Sequence, residues 1–464
     1  MNKKNLPSPA ALLTLRIATC TAGFALAVTS TLRAADLTWT GVTDGNWDTT
    51  TANWSGASTV FTSGDNANFS GTPTNNVTAA SGLTIGSINL DGTFTGIVAL
   101  TGANTVTGTT TVSAGTLNLG DSGALGTSTV TLSGGALKNT AGITVANNIV
   151  LGSGTSTIAL GTGANMSVTG TLSGSGNLNL GGSGPLSSIY LNFSSNTASG
   201  TITIPNAGNN NTVVRIESGN ATSASADWVI GGPSDRGTSL DVAGTYSFGS
   251  LAGTGYIEGN NLSGTATVSI GANNHSATFS GVIADSHNST AGMKLAVTKE
   301  GTGTETLSGS NTYTGATTIN AGTLAIGKAS AISSSSAMVL NGGTFATGGF
   351  SQTLNTLTLS STSSIDFGAG ASALVFADSS AIAWTGSLDL VNFDIGTDSL
   401  QFGTSSTALT TAQLSEISLS GYTASLDSSG VVTFTAVPEP GTMALCVIGL
   451  SGVLFIARRK RHLV

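Results

Sequence analysis

The sequence predicts an all-β protein, a solenoid in which short strands are wound coil upon coil. Three observations carry this. Glycine supplies 64 of 464 residues and charged side chains only 8%, where an ordinary soluble domain has roughly 25% charged residues. Segments of period two, rich in Thr, Val, Ile and Leu, recur along the chain between Gly, Asn and Ser. The chain also resembles itself: residues 100–120, LTGANTVTGTTTVSAGTLNLG, and 307–327, LSGSNTYTGATTINAGTLAIG, are identical at 13 of 21 positions, at a constant offset of 207. The absence of a Gly-X-Y period excludes collagen. A hydrophobic content of 39% with few charges excludes a disordered chain. Scarce charge and scarce helix formers argue against a cytosolic globular enzyme.

Taken in order, the N-terminus begins with Lys3, Lys4 and Arg16, an apolar stretch at 17–28 and a small-residue exit at Ala34 and Ala35. That is the layout of a secretory signal peptide, here residues 1–35. Arg33 at the −3 position makes the cleavage site imperfect. Residues 36–99 form an N-terminal cap and the first coils. Trp39, Trp47, Trp54, Phe61 and Phe69 gather there, as expected of residues that close the open end of a solenoid. Residues 100–364 hold the repeats, clearest at 100–137 and 279–345. Alternation such as Thr-Leu-Asn-Leu marks half-buried strands, and the glycines supply turns. Coils stacked at about 4.8 Å would place Leu, Ile and Val in ladders inside and Thr, Ser and Asn outside. An antiparallel sandwich array shares these local signals and is the alternative. Residues 365–436 form a second aromatic cap, with Phe367, Phe376, Trp384, Phe393, Phe402, Tyr422 and Phe434 and a short helical stretch near 410–417. Residues 437–464 combine Pro438, Glu439 and Pro440 with an apolar run at 442–457, read as one transmembrane helix, and the basic cluster Arg458, Arg459, Lys460 and Arg461. The basic cluster keeps its end cytoplasmic.

Without these two ends, residues 36–436 contain 21 acids and six bases (Lys138, Arg215, Arg236, Lys294, Lys299 and Lys328), a net charge near −15. Such a surface excludes nucleic acid as a partner. Cys20 and Cys446 both fall in the ends, so the exported part has no disulfide and no thiol nucleophile. His275, His287 and His462 are the only histidines, and no zinc-type spacing, phosphate loop or nucleophile elbow occurs. No cofactor is expected. Catalysis on a polysaccharide would require clustered carboxylates. The densest group is Asp389, Asp394 and Asp398, with Asp378 upstream; these are the calcium candidates, read first as solvated loop acids. Glu300 and Glu305, near Lys294 and Lys299, read as surface charges on a coil edge.

Residues 307–327, with Phe279-Ser-Gly-Val-Ile and Thr298-Lys-Glu-Gly-Thr-Gly-Thr before them, resemble the autotransporter-associated β-strand repeat, as does the 100–120 copy. The opening Leu37-Thr-Trp-Thr-Gly, Gly45-Asn-Trp-Asp, Ala52-Asn-Trp and Gly64-Asp-Asn-Ala-Asn-Phe is similar to the start of such passengers. The resemblance implies a right-handed parallel β-helix exported to the cell surface. The translocating β-barrel of a true autotransporter is not found. The tail instead resembles the PEP-CTERM sorting signal: Val437-Pro438-Glu439-Pro440-Gly441, then the apolar run, then the basic cluster. That implies recognition by an exosortase, a membrane transpeptidase, in a Gram-negative bacterium that makes extracellular polysaccharide, with an inner-membrane precursor and removal of the tail. The expected function is a non-enzymatic structural or adhesive β-helix of the cell surface or polysaccharide matrix. The alternatives are a polysaccharide lyase or hydrolase, and a specific adhesin permanently anchored by the C-terminal helix. An exposed Trp228 or Trp384 would favour the adhesin.

Overall fold

A computed structural model describes residues 34–437 apart from 162, 183–186, 206–212, 232–237, 242, 261–262 and 286–291. The expected signal segment up to residue 33 and the expected membrane run at 442–457 lie outside the described residues. Among the described residues no helix is long and apolar enough to cross a membrane.

The chain is a parallel β-solenoid. A coil crosses three faces, represented by Thr155–Leu160 on the first, Ile149–Leu151 on the second and Met166–Val168 on the third. The first face is an open stack of seventeen described strands, all parallel, from Asn46–Trp47 to Ile417–Ser418. The second begins as a nine-stranded ladder ending at Ser195–Asn196 and resumes as a six-stranded one from Gly244–Phe248. A 3-10 turn, Gly219–Ala221, fills the level between them. Asn196 Nδ2 donates to the Ala221 carbonyl at 2.9 Å, and Ser247 N–H donates to Thr222 Oγ1 at 2.8 Å. The third face is a two-, a seven- and a three-stranded ladder in succession. Antiparallel strand pairs among the described residues are confined to the two ends: Asp36–Trp39 with Trp54–Gly56, and Tyr422–Leu426 with Val432–Ala436. That rules out the sandwich array.

Alternating burial drives the coiling. In Thr116–Leu119 and Thr201–Ile204 every second residue is buried. Parallel register then stacks like on like, so that Val77, Val98, Leu117, Leu137, Ile158 and Leu180 form one continuous interior column. Each buried side chain contributes about 1.5–3 kcal/mol relative to exposure.

The repeat signature consists of the residues that bind one coil to the next. Asn104 Oδ1 accepts from Leu83 N–H at 2.9 Å, and its counterpart Asn311 Oδ1 accepts from Ile283 N–H at 2.8 Å. Thr110 and Thr317, both fully buried, meet Ser128 Oγ at 3.0 Å and Ser336 Oγ at 2.9 Å. Gly115 and Gly322 turn the corner at φ +69° and +60°. A Cβ at Gly322 would lie 2.4 Å from the Gly301 carbonyl oxygen of the preceding coil. Glycine is therefore required there twice over, by its dihedral and by the close backbone approach.

Both ends are aromatic. Trp39, Trp47, Trp54, Phe61 and Phe69 pack with ring centroids 5.0–6.0 Å apart. At the other end Phe367–Phe393, Phe376–Phe402 and Phe393–Phe434 are 4.8, 5.2 and 5.2 Å apart. The expected helix is Thr411–Ser415, opened by a capping box between Thr410 and Gln413.

Candidate functional sites

The calcium candidates do not converge. Asp389 is exposed on the first face, in register with Ser364 and Ser418. Asp394 and Asp398 share one turn. Asp398 accepts from Ser372 N–H at 3.0 Å and from Asp394 N–H at 2.8 Å, and Asp394 accepts from Thr397 Oγ1 at 3.1 Å. No three His, Cys, Asp or Glu among the described residues are grouped to hold a metal. The same use of carboxylates recurs elsewhere. Asp378 accepts from the hydroxyl and the N–H of Ser380, and Asp427 from Val431 N–H, and these bonds hold both carboxyls below their usual range. The acids build turns.

Glu305 and Lys299 are not surface charges, contrary to the expectation from sequence; both are buried. Strand phase is the reason. Lys299 shares the inward phase of Leu295 and Val297 in Lys294–Lys299, and Glu305 that of Leu307 in Thr304–Leu307. The Lys299 ammonium donates to the carbonyls of Glu300, Gly301 (2.9 Å) and Ala321 (3.3 Å). Glu305 reaches past the intervening strand Ala277–Phe279 to accept from Leu251 N–H at 3.3 Å. Burial pushes the Glu305 carboxyl up to about 8, against the opposing pull of the Leu251 N–H and Lys299. Burial pushes Lys299 down, opposed by Glu305 and Glu300.

On the same face, Asp227 Oδ1 accepts from Ser250 Oγ (2.6 Å), Asn273 Nδ2 (2.7 Å) and His275 Nδ1 (2.9 Å). The composition suggests a hydrolase triad, but the connectivity does not. Serine and histidine both bind the carboxylate, so the imidazole is not placed to take the serine proton. His287 lies outside the described residues.

A second group forms on the third face. Tyr190, Arg215, Ser239 and Glu258 stand in one register column drawn from four coils. Arg215 lies 5.9 Å from the Tyr190 ring centroid and pairs with Asp241 at 3.2 Å. Ser239 Oγ donates to Asp241 at 2.6 Å. Burial, then the nearby Asp241, raises the Glu217 carboxyl, with Arg215 opposing. Sequence reasoning counted Arg215 only as a charge. Its neighbours are about one coil apart in sequence, so only register brings them together.

Trp228 is buried in the core. Trp384 is half-buried, donates its indole N–H to the Leu357 carbonyl at 2.9 Å, and lines a shallow groove of about 360 Å³ with Ile382, Thr410, Gln413 and Glu416. Of the two tryptophans that would favour an adhesin, Trp228 is enclosed and Trp384 is only partly open.

The last described element, Val432–Ala436, runs straight into the tail. Pro438, Glu439, Pro440 and the cluster Arg458, Arg459, Lys460 and Arg461 lie outside the described residues. The PEP-CTERM protein-sorting motif matches residues 436–461. The passenger-associated-transport repeat matches 95–119 and 297–326. The chain carries a PEP-CTERM sorting signal behind passenger-type repeats. Both matched repeat segments contain the coil-binding residues described above, Asn104 and Thr110 in one and Asn311 and Thr317 in the other. No curated protein and no solved structure matches the chain. Sorting motif, repeats and solenoid together make this an exported surface β-solenoid protein.

Proposed function

We propose that the protein is a non-enzymatic structural or adhesive rod of the cell surface or extracellular polysaccharide matrix of a Gram-negative bacterium. Its precursor is held in the inner membrane by residues 442–457 and stopped there by Arg458, Arg459, Lys460 and Arg461. An exosortase-type transpeptidase reads Pro438, Glu439 and Pro440 and removes the tail. The observation that carries this reading is the sorting motif placed directly behind a solenoid whose carboxylates are used mainly in turns and packing. The outward column Thr116, Ala136, Thr157, Asn179 and Thr203 presents a hydroxyl or an amide at every level but that of Ala136. Such a surface suits many weak hydrogen bonds to sugars or to neighbouring rods. The test is to incubate mature protein from its own cells with the extracellular polysaccharide those cells make. Co-sedimentation without release of fragments is the expected result. Release of fragments would overturn the non-enzymatic assignment, and absence of co-sedimentation the adhesive one.

Polysaccharide cleavage is the second reading, and the Tyr190, Arg215, Glu217 and Asp241 group favours it. A carboxyl raised by burial beside a carboxylate paired to arginine is a pairing that general acid–base chemistry uses. On that reading Glu217→Gln abolishes the release of fragments.

A further inference from the structure

The sorting motif begins inside the fold. Its match starts at residue 436, the last residue of the terminal strand Val432–Ala436. That strand is paired along its length with Tyr422–Leu426, from Leu426 opposite Val432 to Tyr422 opposite Ala436. The pairing continues one residue further, because Val437 N–H donates to the Gly421 carbonyl at 2.8 Å. No linker separates the folded cap from Pro438.

Enzymes that cut or transfer peptides hold the substrate extended, through main-chain hydrogen bonds of the kind that add a strand to a sheet edge. Pro438 and Pro440 have no N–H to offer. The nearest donors on the N-terminal side are Val437, Ala436 and Thr435; the N–H groups of Val437 and Thr435 face the partner strand and are taken up by the hairpin, and that of Ala436 faces away from it. The hairpin is also built to give way at this end. Val432 is buried and Phe434 packs on Phe393, but Thr433, Thr435, Ala436 and Val437 are exposed. Few buried contacts mean a low free energy of local opening.

We propose that residues 435–437 belong to the segment the sorting enzyme binds, and that the enzyme draws this end of the strand out of the terminal hairpin before the tail is removed. The folded cap therefore sets the rate of processing. This rests on the sorting reading above.

The experiment pins the hairpin end. Tyr422 and Ala436 are directly opposed and exposed, and opposed antiparallel residues lie within the Cα separation that a disulfide spans. Tyr422→Cys with Ala436→Cys is expressed in the protein's own cells beside the two single-cysteine variants. Loss of the tail is followed by intact-protein mass. The proposal expects the crosslinked protein to be processed at least about tenfold more slowly than either single variant. Adding reductant should restore the rate. So should inserting about ten Gly and Ser residues after Val437, which moves the motif clear of the hairpin. Equal rates for crosslinked and single-cysteine proteins would overturn the proposal and leave the sorting reading intact. A tail retained by the unaltered protein would overturn both.

Discussion

Glu305→Gln tests whether a carboxyl is truly enclosed in the solenoid. In the unfolded chain this group titrates near 4.5, and in the folded chain it titrates at about 8. Between those values the folded chain holds a proton that the unfolded chain has released. Stability therefore falls as pH rises through this window and levels off above it. The full displacement corresponds to about 5 kcal/mol. Water entry and relaxation around a buried charge reduce the realised loss to about 2–3 kcal/mol. Glutamine keeps the oxygen that accepts from Leu251 N–H and removes the titration. Lys299, whose folded value is lowered, acts with the opposite sign toward its ordinary value of 10.5, so the difference between the two proteins is the quantity to read. The assay is urea unfolding at pH 5 and pH 8.5. Hydrogen exchange on peptides spanning 250–259 and 294–307 locates the change, since a repeat array need not unfold in one step. The natural protein should lose about 2–3 kcal/mol across this interval and the variant should lose much less. Parallel pH dependence in both would refute the enclosed carboxyl.

Asn311→Ala leaves the Ile283 N–H without its acceptor and should cost about 1–3 kcal/mol, with Asn104→Ala similar; urea unfolding measures both. Gly322→Ala forces a Cβ against the Gly301 carbonyl oxygen at a positive φ and should destabilise by more than about 1 kcal/mol, seen as accelerated proteolysis near the second repeat. Leu137→Ala opens a cavity in the interior column and should cost about 2–5 kcal/mol, read from the same unfolding curves. Chelation of calcium should leave the melting temperature unchanged, because Asp389 stands apart from the turn shared by Asp394 and Asp398; a marked fall would reinstate a calcium site.

The solenoid was legible because period-two segments and a 207-residue self-similarity are written in residue identity. The buried charges were legible in principle. Lys299 and Glu305 keep the phase of the Leu and Val beside them, and following that phase rather than residue type would have placed them inside. The Arg215 group was not legible. The chain advances 19 residues between paired levels at Val98 and Leu117 but 28 between Phe279 and Leu307, so no fixed period predicts which side chains share a column. The exchange of ladders around the 3-10 turn was hidden for the same reason. The Asp389, Asp394 and Asp398 grouping was misleading because closeness in sequence along a solenoid can span two faces.

The most direct test of the account is the intact mass and C-terminal peptide of the protein recovered from its own cells. The account predicts a mature chain that begins near residue 36 and lacks residues 441–464. Recovery of the tail with Arg458 to Arg461 still attached would contradict it and make the C-terminal segment a permanent anchor.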